Sequence, residues 1–192
     1  SSDLFIGGVE GPVIGRFQAG FEKGVADAGK KLGKDIQITS TYAGTFADAS
    51  KGRALASSMY QAGADIIYHA AATTGQGIFQ EAKALNETGS KDKVWVIGVD
   101  RDQNEDGKYT TKDGKDDNLT LASTIKGVNI AVKKISDLAL EDKFPGGEHL
   151  TYGLKDGGVD LTTEALSDQA KTAVKEAKEQ IISGDVKVPD QP

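Results

Sequence analysis

The chain contains no cysteine, which excludes disulfides, thiolate nucleophiles and cysteine-ligated zinc or iron–sulfur centres. Histidine is scarce, with only His69 and His149, so imidazole chemistry has few places to sit. No apolar run approaches the ~20 residues that a membrane-crossing helix needs, and the chain is expected to be soluble. Positive charge is neither in excess nor clustered. With a net charge of −6, a nucleic-acid backbone would meet repulsion and no basic face against which to release counterions. Ser1, Ser2 and Asp3 lead straight into an apolar strand, with no basic start, long apolar run or small-residue cleavage site, so no targeting address is legible. The spacings G-x-x-x-x-G-K-[ST], H-E-x-x-H and G-x-S-x-G are also missing, which leaves catalysis little to stand on.

What is present is an α/β rhythm. Hydrophobic residues make up 38% of 192, enough for one full core. Leu4 to Val9 reads as a strand broken by Gly7 and Gly8, and Pro12 suits a first helical turn. Val13, Phe17, Phe21, Val25, Ala28 and Leu32 then trace a helix face. Ile36 to Tyr42 predicts a second strand. Asp48 is placed as an N-cap for a helix through Leu55, Met59 and Ala62, closed by Gly63. Ala64 to His69 predicts a third strand, Thr73 or Thr74 a cap for a helix carrying Ile78, Phe79, Ala82 and Leu85, and Val94 to Val99 a fourth strand. Such alternation implies a mainly parallel sheet with helices on both faces, a three-layer α/β/α arrangement.

Beyond Asp100 the rhythm changes. Residues 101 to 118 are polar and glycine-containing, and Leu119 to Ile125 predicts another strand. Val128, Ile130, Val132, Ile135 and Leu138 lie in a helix of mixed periodicity, ended by Phe144, Pro145, Gly146 and Gly147. A last strand is expected over His149 to Leu154, then a helix from Thr163 to Gly184 and an exposed tail.

In an open parallel sheet, ligands bind beyond the carboxyl ends of the strands. The loops Gly7 to Gly11, Ala43 to Asp48, Ala70 to Gly77 and those from Asp100 onward are therefore the places to search. The first is glycine-rich but lacks the G-x-G-x-x-G spacing, and the second strand ends without the acidic residue that would hold a ribose, so it reads as a structural turn. His69 has no visible acid or nucleophile partner and reads as a packing residue. Asp102, Asn104, Asp106, Gly107 and Asp113 match positions of a calcium loop, but the last position is not glutamate and no helix enters, so a solvated acidic loop is preferred. No metal ligand set and no cofactor are assigned. Phe46, just past a strand end, either offers a flat face to a ring or caps the core. Asp100 ends an apolar strand, where a carboxylate needs a hydrogen-bonding partner such as a ligand hydroxyl. Lys126 either pairs with it or is an ordinary surface lysine.

Four segments make the chain specific: Phe5 to Ile14 (FIGGVEGPVI), Tyr42 to Asp48 (YAGTFAD), Val94 to Gln103 (VWVIGVDRDQ) and Tyr152 to Val159 (YGLKDGGV). Together, and in this order, they closely resemble the basic membrane protein family, substrate-binding lipoproteins of ABC transporters that include purine nucleoside receptors. The resemblance implies a type I periplasmic-binding-protein lobe over residues 1–126. It assigns residues 127–192 to a crossover helix, a returning strand and a terminal helix, and places an amino-terminal lobe and lipid anchor outside this chain. It implies a binding protein rather than an enzyme, which takes purine nucleosides of the guanosine, inosine or adenosine class and hands them to a membrane permease. The implied site residues are Phe46 stacking on the base, Gly75 bordering the ligand through its backbone, Asp100 accepting from ligand hydroxyls, and Lys126 holding that carboxylate. A sugar or signalling-molecule receptor of the same fold, or a nucleotide-dependent enzyme, are the alternatives.

Overall fold

The computed structural model describes residues 2–89 and 92–192. In chain order the first elements are β1 (Ser2–Gly7), α1 (Pro12–Leu32), β2 (Gln37–Tyr42), α2 (Ala49–Gln61), β3 (Ile66–Ala70), α3 (Thr73–Thr88) and β4 (Trp95–Asp100). A hairpin of β5 (Lys108–Thr110) and β6 (Asp116–Asn118) follows, then β7 (Thr120–Lys126), α4 (Val128–Leu140), β8 (Val159–Leu161) and α5 (Asp168–Ser183). The main sheet runs β2-β1-β3-β4-β7-β8 and is parallel except for β8, which pairs antiparallel with β7.

Side chains alternate along each strand, and both faces of the sheet are covered, which is why the strands read as continuous apolar runs. Leu4, Ile6, Ile67 and Val96 point to one face, where α2 and α3 supply Ala56, Tyr60, Ile78, Phe79 and Ala82. Phe5, Tyr68 and Val99 point to the other, against Ile14, Phe17 and Phe21 of α1. The aromatic rings there are mutually tilted, with centroids 5.6 Å apart for Phe5–Tyr68 and 5.4 Å for Phe21–Tyr68.

Several local expectations hold. Asp48 caps α2 by accepting from the Lys51 N–H at 3.0 Å, and Gly184 closes α5 in the left-handed region. Others need correction. Phe17 and Phe21 of α1 point inward as expected, but Val13 and Leu32 at the two ends of the expected face are exposed, and Ile14 in place of Val13 packs inward, reaching the bare Gly7. Neither Thr73 nor Thr74 caps α3, whose N-cap is Ala72; the Thr74 hydroxyl instead serves the neighbouring loop. The polar stretch after Asp100 is not all irregular, because Lys108–Thr110 and Asp116–Asn118 pair as a small hairpin. No strand forms over His149 to Leu154. The free edge of β7 is taken by Val159–Leu161, and a single 3-10 turn occupies Leu154–Asp156. The terminal helix starts at Asp168, capped by Ser167, rather than at Thr163. The tail after it runs back along α1, with Asp190 3.6 Å from Arg16 and Val188 against Gly20.

No helix among the described residues is long and apolar enough to cross a membrane. Helix α4 has no buried residue, and Val128 and Val132 are 63% and 60% exposed. Its neighbours are the turn residues Tyr152 to Gly158: Lys134 reaches Asp156 at 3.4 Å, and a Cβ at Gly157 would lie 3.1 Å from Ile130.

Candidate functional site

The strand order reverses direction between β1 and β3, so the loops leaving their carboxyl ends run to opposite faces and open a crevice between them. The crevice floor is backbone: the Gly8 N–H donates to the Ala70 carbonyl at 3.0 Å, and the Thr45 N–H to the Gly8 carbonyl at 3.2 Å.

Phe46 lies on this floor. A Cβ at Gly8 would sit 2.1 Å from the Phe46 ring, so only glycine lets the ring settle over the end of β1. The loop carrying it is pinned from α3, where the buried Thr74 donates its hydroxyl to the Thr45 carbonyl at 3.2 Å and accepts the Asp48 N–H at 3.1 Å. The Thr74 N–H also donates to the Phe46 carbonyl at 3.2 Å. This bracket requires α2 and α3 to touch, and Gly52 and Gly77 permit it: a Cβ there would stand 1.9 Å from the Thr74 carbonyl oxygen and 1.8 Å from that of Ala49. The Phe46 residue remains 40% exposed and faces the same edge as the crevice, so it does not cap the core.

Asp100 ends β4 on the same edge, with φ of 69°, left-handed for a non-glycine residue. Its carboxylate lies 2.8 Å from the Lys126 ammonium, at the end of the adjacent β7, and both side chains are about half exposed. Lys126 also stands 5.3 Å over the Phe17 ring, which holds the cation beside the carboxylate rather than out in solvent. Half-exposed pairs of this kind contribute little stability, about 0–1 kcal/mol, and leave carboxylate lone pairs free to accept from a third group.

Gly75 is in the first turn of α3 and is buried, its bare face filled by the His69 ring 2.2 Å from where a Cβ would lie. His69 is fully buried against Phe79 and shares a 3.1 Å hydrogen bond with Gln103. Burial pushes its pKa down to about 4, more strongly than the Gln103 bond and the charges of Asp100 and Asp106 raise it. His69 is therefore neutral at pH 7. The other histidine, His149, lies outside any strand and is exposed.

The acidic loop does not converge on a point. Asp106 bonds Arg101 at 2.7 Å, Asp113 bonds Thr111 at 2.6 Å in the hairpin turn, and no metal-holding group of acidic or histidine side chains occurs among the described residues. A separate hollow of about 440 Å³ lies beside the edge, between Glu10, Gln18, Tyr42 and the tail residue Asp190.

A doubly wound sheet gathers the loops that hold small molecules at its strand ends, and the solved structures that share this fold include ABC transporter solute-binding proteins. The chain belongs to the basic membrane protein family, described as ABC transporter substrate-binding proteins of PnrA-like type, which it matches across residues 1–192. It is 48% identical over 188 residues to the ABC transporter nucleoside-binding protein BmpA of Lactococcus lactis subsp. cremoris, covering 97% of this chain and 52% of that protein. The CD4+ T-cell-stimulating antigen of Listeria monocytogenes is 48% identical over 190 residues, with 98% of this chain and again 52% of the relative covered. Among solved structures, an ABC transporter solute-binding protein of Aeropyrum pernix K1 superposes with a TM-score of 0.81 at 25% identity, covering 98% of this chain and 58% of that one. The chain thus spans about half the length of the curated relatives it matches.

Proposed function

We propose that this chain is one lobe of a two-lobed receptor that binds purine nucleosides outside the cell membrane and delivers them to an ABC permease without chemistry. The observation that carries the reading is the pairing of Phe46 and Asp100 on one edge. The Phe46 ring covers the end of β1, and Asp100 ends β4 two strands away, so the strand ends they stand on are about 10 Å apart at ordinary strand spacing. A fused-ring base stacked on Phe46 would place an attached pentose over β3 and its hydroxyls at Asp100. The first turn of α3, with Gly75, follows β3, the strand between β1 and β4. The nucleoside-binding name of the lactococcal relative supports the same reading.

In this reading residues 1–126 form the ligand-binding lobe and residues 127–192 cross to the partner lobe and return. The outgoing and returning chains are in close contact: the Gly127 N–H donates to the Gly158 carbonyl at 2.8 Å, and a Cβ on Gly127 would meet the Gly157 carbonyl oxygen at 2.3 Å. Closure of the two lobes about this crossing excludes water from the ligand, and a lipid anchor outside this chain holds the receptor at the membrane.

Two substitutions test the site in the intact receptor. Asp100→Ala is expected to weaken nucleoside binding by about 1.5–3 kcal/mol, the worth of hydrogen bonds to a charged acceptor. Phe46→Ala is expected to weaken it by about 1–3 kcal/mol, the scale of base–aromatic stacking. Calorimetry showing either affinity unchanged removes that residue from the site. The lobe assignment has its own check. Expressed alone, this chain should self-associate through Val128 to Leu138, because the exposed apolar face of α4 forfeits ~25 cal/mol per Å² while it stays in water. Light scattering that finds only monomer at micromolar concentration contradicts it.

A further inference from the structure

We propose that Gln103 is a positioning residue that holds Asp100 in its ligand-facing conformation; the inference rests on the reading of Asp100 as a ligand-binding carboxylate. The Arg101 N–H donates to the Val99 carbonyl at 2.9 Å, which makes Asp100 the centre of a three-residue turn. With φ of 69° this is the rare, strained form of that turn, and such a form persists only where its surroundings over-determine it.

Gln103 grips both ends of the turn. Its side-chain oxygen accepts the Val99 N–H at 2.8 Å, just before Asp100. Its side-chain nitrogen donates at 2.9 Å to Asp106, whose same oxygen takes the Arg101 guanidinium at 2.7 Å, just after Asp100. The glutamine is itself fixed to the sheet, donating its backbone N–H to Ser123 at 3.0 Å and accepting from the Thr120 hydroxyl at 3.0 Å. It is only 5% exposed and occupies the space where a side chain at Gly98 would be, 2.8 Å from that position.

His69 completes the bracket and fixes its orientation. The Gln103 oxygen already accepts from Val99, so the His69 Nε2 at 3.1 Å must carry the proton and donate. The Nδ1 lone pair is then left against bare Gly75, with no hydrogen-bond partner among the described residues. Strands β3 and β4 and the Asp106 loop therefore meet at the Gln103 side-chain amide, while β7 holds its backbone, three residues after Asp100.

The test is a Gln103→Met variant of the intact receptor, with ribonucleosides and their 2′,3′-dideoxy analogues as probes. Binding of the ribonucleoside should weaken about tenfold, that of the dideoxy analogue less than about twofold, and Gln103→Met should add nothing to Asp100→Ala, since residues acting through one contact are non-additive. Equal losses on both probes, or full additivity with Asp100→Ala, would make Gln103 merely structural and overturn the inference. Should Gln103→Met fail to fold, Asp106→Ala removes only the outer half of the bracket and should show the same selectivity at about threefold; equal loss on both probes there overturns it too. A crystal structure of the unliganded variant separates this inference from the functional reading. Asp100 returning to negative φ and leaving Lys126 supports the bracket whatever the ligand, whereas an unmoved Asp100 refutes it.

Discussion

Gly77→Ala should lower the unfolding free energy by about 3 kcal/mol, the upper range for overpacking a close contact. Helix propensity alone predicts the opposite sign, since alanine in a helix interior is favoured over glycine by about 1 kcal/mol. Packing wins because the added methyl would stand 1.8 Å from the Ala49 carbonyl oxygen and 2.7 Å from the Arg53 nitrogen, and backbone cannot step aside as a side-chain end can. Helices α2 and α3 must separate, and the Thr74 bracket that holds the Phe46 loop separates with them. A urea titration reads the effect as a lowered midpoint at unchanged slope. A variant as stable as the parent would mean that the two helices are not in the contact described.

Acidification should weaken the fold through His69. Above pH 6.5 the imidazole is neutral in both states and nothing is lost. As pH falls, the unfolded chain takes up a proton near 6.5 that the folded protein refuses until about 4, because the ring is fully buried. Stability therefore falls across that window and levels off below it, by about 3 kcal/mol in all for a difference of this size. Other groups titrate in the same range, so the comparison is with His69→Leu, which has no proton to take. Urea midpoints measured from pH 7 to pH 4 should fall more steeply in the parent by that amount. Parallel pH profiles would place His69 in a solvated setting rather than a buried one.

The strands and helices up to Asp100 were legible because each signal had a single physical cause: apolar runs covered on both faces, Asp48 before a helix, Pro12 at a first turn. Phe46, Asp100 and Lys126 stood out as candidates from their places at or just past strand ends; the structure sets Asp100 and Lys126 at the ends of β4 and β7 and the Phe46 ring over the end of β1, while their roles toward a ligand rest on the proposal. What could not be read came from tertiary choices. The first inward residue of α1 was invisible because Val13 and Ile14 are equally apolar, and the bare Gly7 takes Ile14. The expected strand at His149 to Leu154 has suitable residues, but the edge of β7 is taken by Val159–Leu161 instead. Thr74 looked like a helix cap because threonine caps helices, yet its hydroxyl is worth more to the Phe46 loop, which has two backbone groups to satisfy. Gln103 carried no periodic signal in a polar stretch. Its one trace was Gly98, a glycine inside an apolar strand, which marks close approach by another group.

If Phe46 takes a base and Asp100 a hydroxylated pentose, isothermal titration of the intact receptor should show tight binding of a purine nucleoside, with the corresponding free base and the free pentose each bound about a hundredfold more weakly, about 2.7 kcal/mol. A free sugar bound as tightly as the nucleoside, or no nucleoside binding at all, would contradict that reading.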